Sequence, residues 1–161
     1  ADLYEMAEDL LAMHGYNHYE ISNWAKADYE CRHNLAYWQN QPYLGFGVAA
    51  HSSMGGRRFA NTGILDQYIQ QKFTQGKENL LDTDEVIFPE LQLAESVILG
   101  LRLSQGVKLC QIRGGGLAGH YLSQVDELRD LGLVELAGER VRLTRRGRLL
   151  GNEVFYRFLP A

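Results

Sequence analysis

From Tyr19 to Ser52 the chain spends two Trp, four Tyr, one Cys, two His and two Gly. Within it, residues 23–42 follow no clean helical or strand period. A long irregular stretch in a compact domain is usually either functional or disordered. Its aromatic density argues against disorder. This stretch therefore cannot be an ordinary layer of regular structure. Large aromatics beside candidate metal ligands and bare glycine backbone suit a flat or bulky ligand.

The flanking patterns are more regular. Leu3, Met6, Ala7, Leu10, Leu11 and Met13 fall near helical spacing over residues 2–14, with Gly15 as the stop. His14 in the last turn reads as a cation at the negative end of the helix dipole. Residues 16–22 alternate, are rich in aromatics and predict a strand. Helix, glycine turn and strand form one step of an α/β layer. Residues 43–49 and 57–61 predict two further strands, joined by a turn over residues 52–56. Ile64, Leu65, Tyr68, Ile69 and Phe73 predict an amphipathic helix, with Thr62 as its cap and Gly76 beyond its end.

The pattern changes after a polar stretch at residues 77–83, which predicts a domain boundary. Asp82, Thr83 or Asp84 can cap a long apolar helix reaching Leu103, with Pro89 in its first turns or breaking it. A short helix is expected within residues 107–119, ending at the freely turning Gly114-Gly115-Gly116. Leu122, Val125, Leu128 and Leu131 share one face of a helix over residues 121–131, with Gly132 as its stop. Residues 133–136 and 140–143 then form a hairpin through Ala137-Gly138. Thr144 caps a last helix carrying Leu149, Leu150, Val154, Phe155 and Phe158. Helices, a two-stranded wing and a closing helix describe a winged-helix-like domain.

Composition bounds the function. A chain of 161 residues suits one domain or two small ones. Its net charge of −4 gives no general attraction to nucleic acid or to an anionic membrane. No apolar run approaches a membrane span. Two cysteines, Cys31 and Cys110, make no disulfide framework, so the expected compartment is the cytoplasm. The chain opens on Ala1 inside a helical pattern, which predicts a piece of a longer protein.

Cys31 and His33 could offer a thiolate and an imidazole to a metal or heme iron. Structural zinc wants a second close ligand pair, and none occurs. Heme needs only one imidazole and an aromatic wall, which Tyr37 and Trp38 could supply. On the residues alone the better reading is that His33-Asn34 caps the turn into Leu35-Ala36-Tyr37-Trp38. Gly45-Phe46-Gly47-Val48-Ala49-Ala50 has the GxGxxA form, but the following His51-Ser52-Ser53-Met54-Gly55-Gly56 opens no helix, so a dinucleotide site is rejected. A strand facing a cofactor and a simple backbone kink remain equal alternatives there. Arg57-Arg58 read as solvated strand-edge charges rather than an anion clamp. Arg140, Arg142, Arg145, Arg146 and Arg148 make the wing basic, but Asp126, Glu127 and Asp130 on the preceding helix would repel phosphate. Packing is favoured over DNA binding. Ser, His and Asp residues occur without a nucleophile elbow, so hydrolase chemistry is a weak reading.

Several stretches resemble one family. Glu20-Ile21-Ser22-Asn23-Trp24-Ala25, Glu30-Cys31-Arg32-His33-Asn34-Leu35-Ala36-Tyr37-Trp38 and Gly45-Phe46-Gly47 are similar to the oxygen-independent coproporphyrinogen III oxidase family of radical-SAM proteins. So are Gly100-Leu101-Arg102-Leu103 with Gly106-Val107, Leu131-Gly132-Leu133-Val134, the stretch from Leu143 to Leu150, and Asn152-Glu153-Val154-Phe155. The likeness runs in order over nearly the whole chain. His33-Asn34-x-x-Tyr37-Trp38 resembles the HNxxYW element of the heme chaperone (HemW) branch, which the true oxidases lack.

The resemblance implies an α/β (α+β) fold. Residues 1–78 would be the C-terminal part of a radical-SAM partial (β/α) barrel, and residues 82–161 a mostly helical, winged-helix-like domain. It implies binding of heme and its transfer to acceptor proteins. The alternatives are an oxygen-independent coproporphyrinogen III dehydrogenase and a winged-helix DNA-binding module. His33 becomes the candidate heme-iron ligand, Asn34, Tyr37 and Trp38 its companions, and Gly47, Ala50 and His51 a strand beside SAM and substrate. The family holds a [4Fe-4S] cluster through a CxxxCxxC loop that leaves one iron for SAM. That loop does not occur here. Cluster and SAM therefore belong to the parent protein, and this chain alone should run no radical chemistry. The resemblance adds no nucleic-acid partner and no membrane span, while severed barrel edges imply self-association. Two departures are Ala27-Asp28, where the family often has Pro-Gly, and the triple glycine at Gly114.

Overall fold

The computed structural model describes residues 2–73, 81–113 and 118–160. Gly76, residues 77–80 and the triple glycine lie outside them. The mixed α and β elements fall into two compact units. One comprises Ala1–Asn40 with Glu90–Ala161, the other Gln41–Pro89. The sequence places one boundary near residues 78–82, whereas the contacts divide the chain near residues 40 and 90.

In the first unit, α1 (Asp2–Met13) ends where Gly15 takes a φ of +78°. The predicted strand over residues 16–22 is instead one arm of a hairpin. β1 (Asn17–Glu20) turns at Ile21-Ser22 into antiparallel β2 (Asn23–Ala25). The reason is local: the buried Glu20 carboxylate accepts hydrogen bonds from Ser22 N (3.0 Å) and Asn23 Nδ2 (2.5 Å), which folds the chain back. β1 thus pairs antiparallel with β2. The expected irregular stretch then contains a helix, α2 (Arg32–Trp38).

α4 (Pro89–Leu101) begins at Pro89, whose lack of an N–H suits a first helical position. β6 (Val107–Lys108) precedes α5 (Leu109–Arg113), so the expected helix within residues 107–119 starts as a strand. α6 (Ala118–Asp130) leads to β7 (Val134–Ala137) and β8 (Arg140–Leu143). The three strands form one antiparallel sheet in the order β6-β8-β7. Thr144 accepts a hydrogen bond from Gly147 N and caps α7 (Arg145–Leu149). The expected single closing helix breaks at Leu150, and α8 (Gly151–Tyr156) follows.

The core of this unit is Val97 and Leu101 of α4, Ile112 of α5, Tyr121, Val125 and Leu128 of α6, Val141 of β8, and Val154 and Phe158. Apolar burial of this kind is worth about 25 cal/mol per Å². Tyr121 also donates from its hydroxyl to Phe158 O at 3.1 Å, so the closing segment is tied by burial and a hydrogen bond together.

In the second unit, β3 (His51–Met54) and β4 (Arg57–Asn61) form a hairpin through Gly55-Gly56, both at positive φ. α3 (Leu65–Phe73) follows, with Thr62 Oγ1 accepting from Ile64 N. Asp82, Thr83 and Asp84 are not helix caps. They lie in β5 (Leu81–Val86), which pairs antiparallel with β4 at the edge of the sheet. Arg57 of β4 and Asp84 of β5 form an ion pair that holds this polar strand.

The expected strand over residues 43–49 does not form. Tyr43 makes a single bridge to Ser53, and the chain then turns at Gly47 (φ +113°) and Ala49 (φ +56°). Gly47 and Ala50 therefore lie in a turn, and only His51 belongs to a strand.

Candidate functional site around α2

α2 has few good helix formers, and Cys31, its N-cap, makes no side-chain capping bond. His33 and Asn34 are not caps either. They occupy the first turn, closed by Leu35 N donating to Cys31 O at 3.0 Å. Helical spacing brings residues four apart together. His33 and Tyr37 accordingly meet edge to face, with ring centroids 4.8 Å apart and an interplanar angle of 84°. His33 is exposed, while Asn34, Tyr37 and Trp38 are half-buried. Asn40, just beyond the helix, donates to Ser96 Oγ of α4 at 3.0 Å and anchors its end.

Trp38 is fixed by a neighbour that the sequence did not single out. The Arg102 guanidinium lies 4.3 Å from the centroid of its ring and 5.9 Å from that of Phe155. The same guanidinium stands 3.9 Å from Glu20 Oε2, and the Glu20 side chain is fully buried. Around it the backbone is stitched together. Ile21 N donates to Arg102 O, Ser104 N donates to Tyr19 O, and Glu20 bridges to Leu103. A buried carboxylate needs such a set of donors and a countercharge. The aromatic-rich strand gave the one available signal: a Glu among aromatics demands a buried partner.

β1 and β2 carry a second aromatic group. His18 stacks on its cross-strand partner Trp24 at 4.6 Å and 19°. Tyr4 packs against both rings and donates its hydroxyl to Ile21 O at 2.8 Å. Burial pushes the His18 imidazole below its ordinary value, and the Arg148 charge adds to this. Interactions with Ile21, Glu8 and Glu20 oppose it. Glu8 gathers ion pairs from Arg145 and Arg148, 137 and 140 positions away in the chain, so α1 is tied to α7.

Gly47, Ala50 and His51 belong to the second unit. Gly47 uses both backbone groups internally: its N–H donates to Tyr68 Oη at 3.0 Å, and its carbonyl accepts from Asn61 Nδ2 at 2.8 Å. Asn61 N donates to Ala50 O, while His51 is exposed. Glycine is required at Gly45, where a Cβ would stand 2.2 Å from His51 O.

Among the described residues, no three His, Cys, Asp or Glu side chains group as a metal site. Cys31 and Cys110 are both exposed and are the only two cysteines of the chain. A [4Fe-4S] cluster needs clustered thiolates, so these residues do not fit one. Among the described residues no helix is long and apolar enough to cross a membrane.

The HemN C-terminal domain matches residues 89–150. The heme chaperone HemW of Bacillus subtilis is 41% identical over 99% of this chain and 42% of its own length. That of Lactococcus lactis is 35% identical over the same shares, and that of Mycobacterium tuberculosis 34% identical over 96% and 38%. The fold is similar to that of a coproporphyrinogen III oxidase from Escherichia coli, described as a radical SAM enzyme. The TM-score is 0.72 at 23% identity, over 98% of this chain and 40% of the other. The chain thus spans about two-fifths of the length of the curated relatives it matches. Residues 89–150 match the HemN C-terminal domain, and nearly the whole chain is similar to about two-fifths of the length of heme chaperone HemW proteins.

Proposed function

We propose that this chain is part of a heme chaperone that binds heme and delivers it to acceptor proteins in the cytoplasm. The observation that carries this reading is the exposed His33 imidazole in the first turn of α2, set edge-on to Tyr37. An accessible imidazole can ligate heme iron, and an adjacent aromatic ring can lie against the macrocycle. Asn34 and Trp38 flank that contact on the same helix. The arginine stack holds Trp38 and thereby fixes the end of α2.

In this reading residues 1–78 belong to a radical-SAM partial barrel and residues 82–161 form a winged-helix-like domain. Gly47, Ala50 and His51 then lie on the side of SAM and substrate. The [4Fe-4S] cluster and SAM belong to the parent protein, and this chain alone performs no radical chemistry. The exposed row Leu3, Met6, Leu10 and Met13 on α1 supports self-association of the isolated chain.

The test is a heme titration of this chain and of His33→Ala, followed through the Soret band. The expected result is a saturable shift in the wild type that weakens about tenfold or disappears in the variant, the scale of one lost ligand bond. Equal, weak binding by both proteins would overturn the role of His33.

A further inference from the structure

Lys108 of β6 and Arg140 of β8 are direct partners across the strand ladder. Like charges placed opposite one another in a sheet repel. Most arginines described here offset their charge: Arg57 faces Asp84, Arg102 Glu20, Arg142 Glu135, Arg148 Glu8 and Arg157 Glu127. Lys108 and Arg140 have no such ion pair among the described residues.

Both cations line a cleft of about 430 Å³ within the first unit. Its described walls hold no Asp or Glu, but they do hold Trp38, Ser96, Cys110 and Gln111. Arg140 is already oriented, because its Nη1 donates to Gly106 O at 2.8 Å. Gly106 is held in a left-handed turn (φ +66°), and a Cβ there would stand 2.0 Å from Val141 O, so the anchoring carbonyl is rigidly placed. Gln111 is held as well, its Oε1 accepting from Lys108 N at 3.1 Å. Two unneutralised cations on one face, with amide and hydroxyl groups beside them, form a receptor for a carboxylate.

We propose that this cleft binds the carboxylate groups of a porphyrin, held by Lys108 and Arg140. The geometry carries the carboxylate; its assignment to a porphyrin rests on the function proposed above. Cys110 and Cys31 are the chain's two thiols and both are exposed, but only Cys110 lines the cleft. Cys110 therefore reports on the cleft, whereas Cys31, the N-cap of the helix that carries His33, reports on the face of α2.

The experiment measures maleimide labelling of each cysteine with and without metal-free mesoporphyrin, which removes iron ligation by His33 from the readout. Mesoporphyrin should slow labelling of Cys110 severalfold. Lys108→Glu should weaken that protection about tenfold, and Lys108→Arg should retain it. The porphyrin dimethyl ester should not protect, and succinate in place of porphyrin tells whether any small carboxylate suffices. Failure of mesoporphyrin to protect Cys110, or equal protection by the diester, overturns the proposal. A His33-dependent Soret shift in the wild type without Cys110 protection by mesoporphyrin sinks the cleft and leaves the chaperone reading standing. Cys110 protection without a His33-dependent shift does the reverse.

Discussion

The Arg102 guanidinium lies 4.3 Å from the centroid of the Trp38 ring while facing Glu20, whose side chain is fully buried. One cation thereby neutralises an interior carboxylate and holds the last residue of α2. Removing it leaves a buried charge without its counterion. Arg102→Ala should destabilise the chain by about 3 kcal/mol, and Arg102→Lys, which keeps the charge but loses the planar stack, by about 1 kcal/mol. Urea unfolding followed by tryptophan fluorescence measures both, and equal losses would refute the stacking role.

A histidine held neutral by burial makes stability depend on pH. The His18 value is lowered in the folded state, so the unfolded chain takes up the proton first. His18 therefore contributes no pH-dependent loss above about pH 6.5, and stability falls as pH drops below that unfolded value. His18→Phe should flatten this slope. Unfolding midpoints in urea at pH 7.5 and pH 5.5 give the comparison.

Two glycines should respond oppositely to alanine. At Gly45 a Cβ would meet His51 O at 2.2 Å and Ala50 Cβ at 3.0 Å, so Gly45→Ala should cost about 2–3 kcal/mol. At Gly119, inside α6, nothing lies within 4 Å, and Gly119→Ala should stabilise by about 0.5 kcal/mol. Denaturation midpoints of the two variants decide this.

Asp28 stands at a φ of +70°, the conformation glycine supplies most cheaply. Asp28→Gly should relieve that backbone strain and raise stability by about 0.5 kcal/mol, after part of the gain is offset by the freer unfolded chain. A lowered melting temperature would show that the Asp28 side chain matters more than its backbone.

What could be read in the sequence depended on which force decided each element. α1, α3 and α6 show apolar spacing and glycine or threonine punctuation, and the hairpin β7-β8 is legible from Gly138, although the turn falls at Gly138-Glu139 and Ala137 pairs with Arg140 as the last residue of β7. α2 could not be read this way. Its His, Asn, Tyr and Trp are indifferent helix formers, and tertiary contacts at Trp38 and Asn40 hold it. β5 was missed because residues 82–86 are all exposed, so a polar edge strand shows no alternation. The loop at Gly47 was read as a strand because its turn depends on Tyr68 and Asn61, far along the chain. For the candidate site, the His33–Tyr37 pair follows from helical spacing once α2 exists. The Arg102–Glu20 arrangement joins positions 82 apart and left only a solitary carboxylate as its trace.

The first unit is assembled from two chain segments, Ala1–Asn40 and Glu90–Ala161, with another unit between them in sequence. During synthesis the opening segment emerges long before the segment that completes its packing. Glu8 meets Arg145 and Arg148 only when the segment 137 to 140 positions further on has been made. Closing so long a loop is entropically unfavourable and slow. Residues 1–40 therefore complete their packing only once residues 90–161 are available, so this unit depends on contacts of long sequence separation.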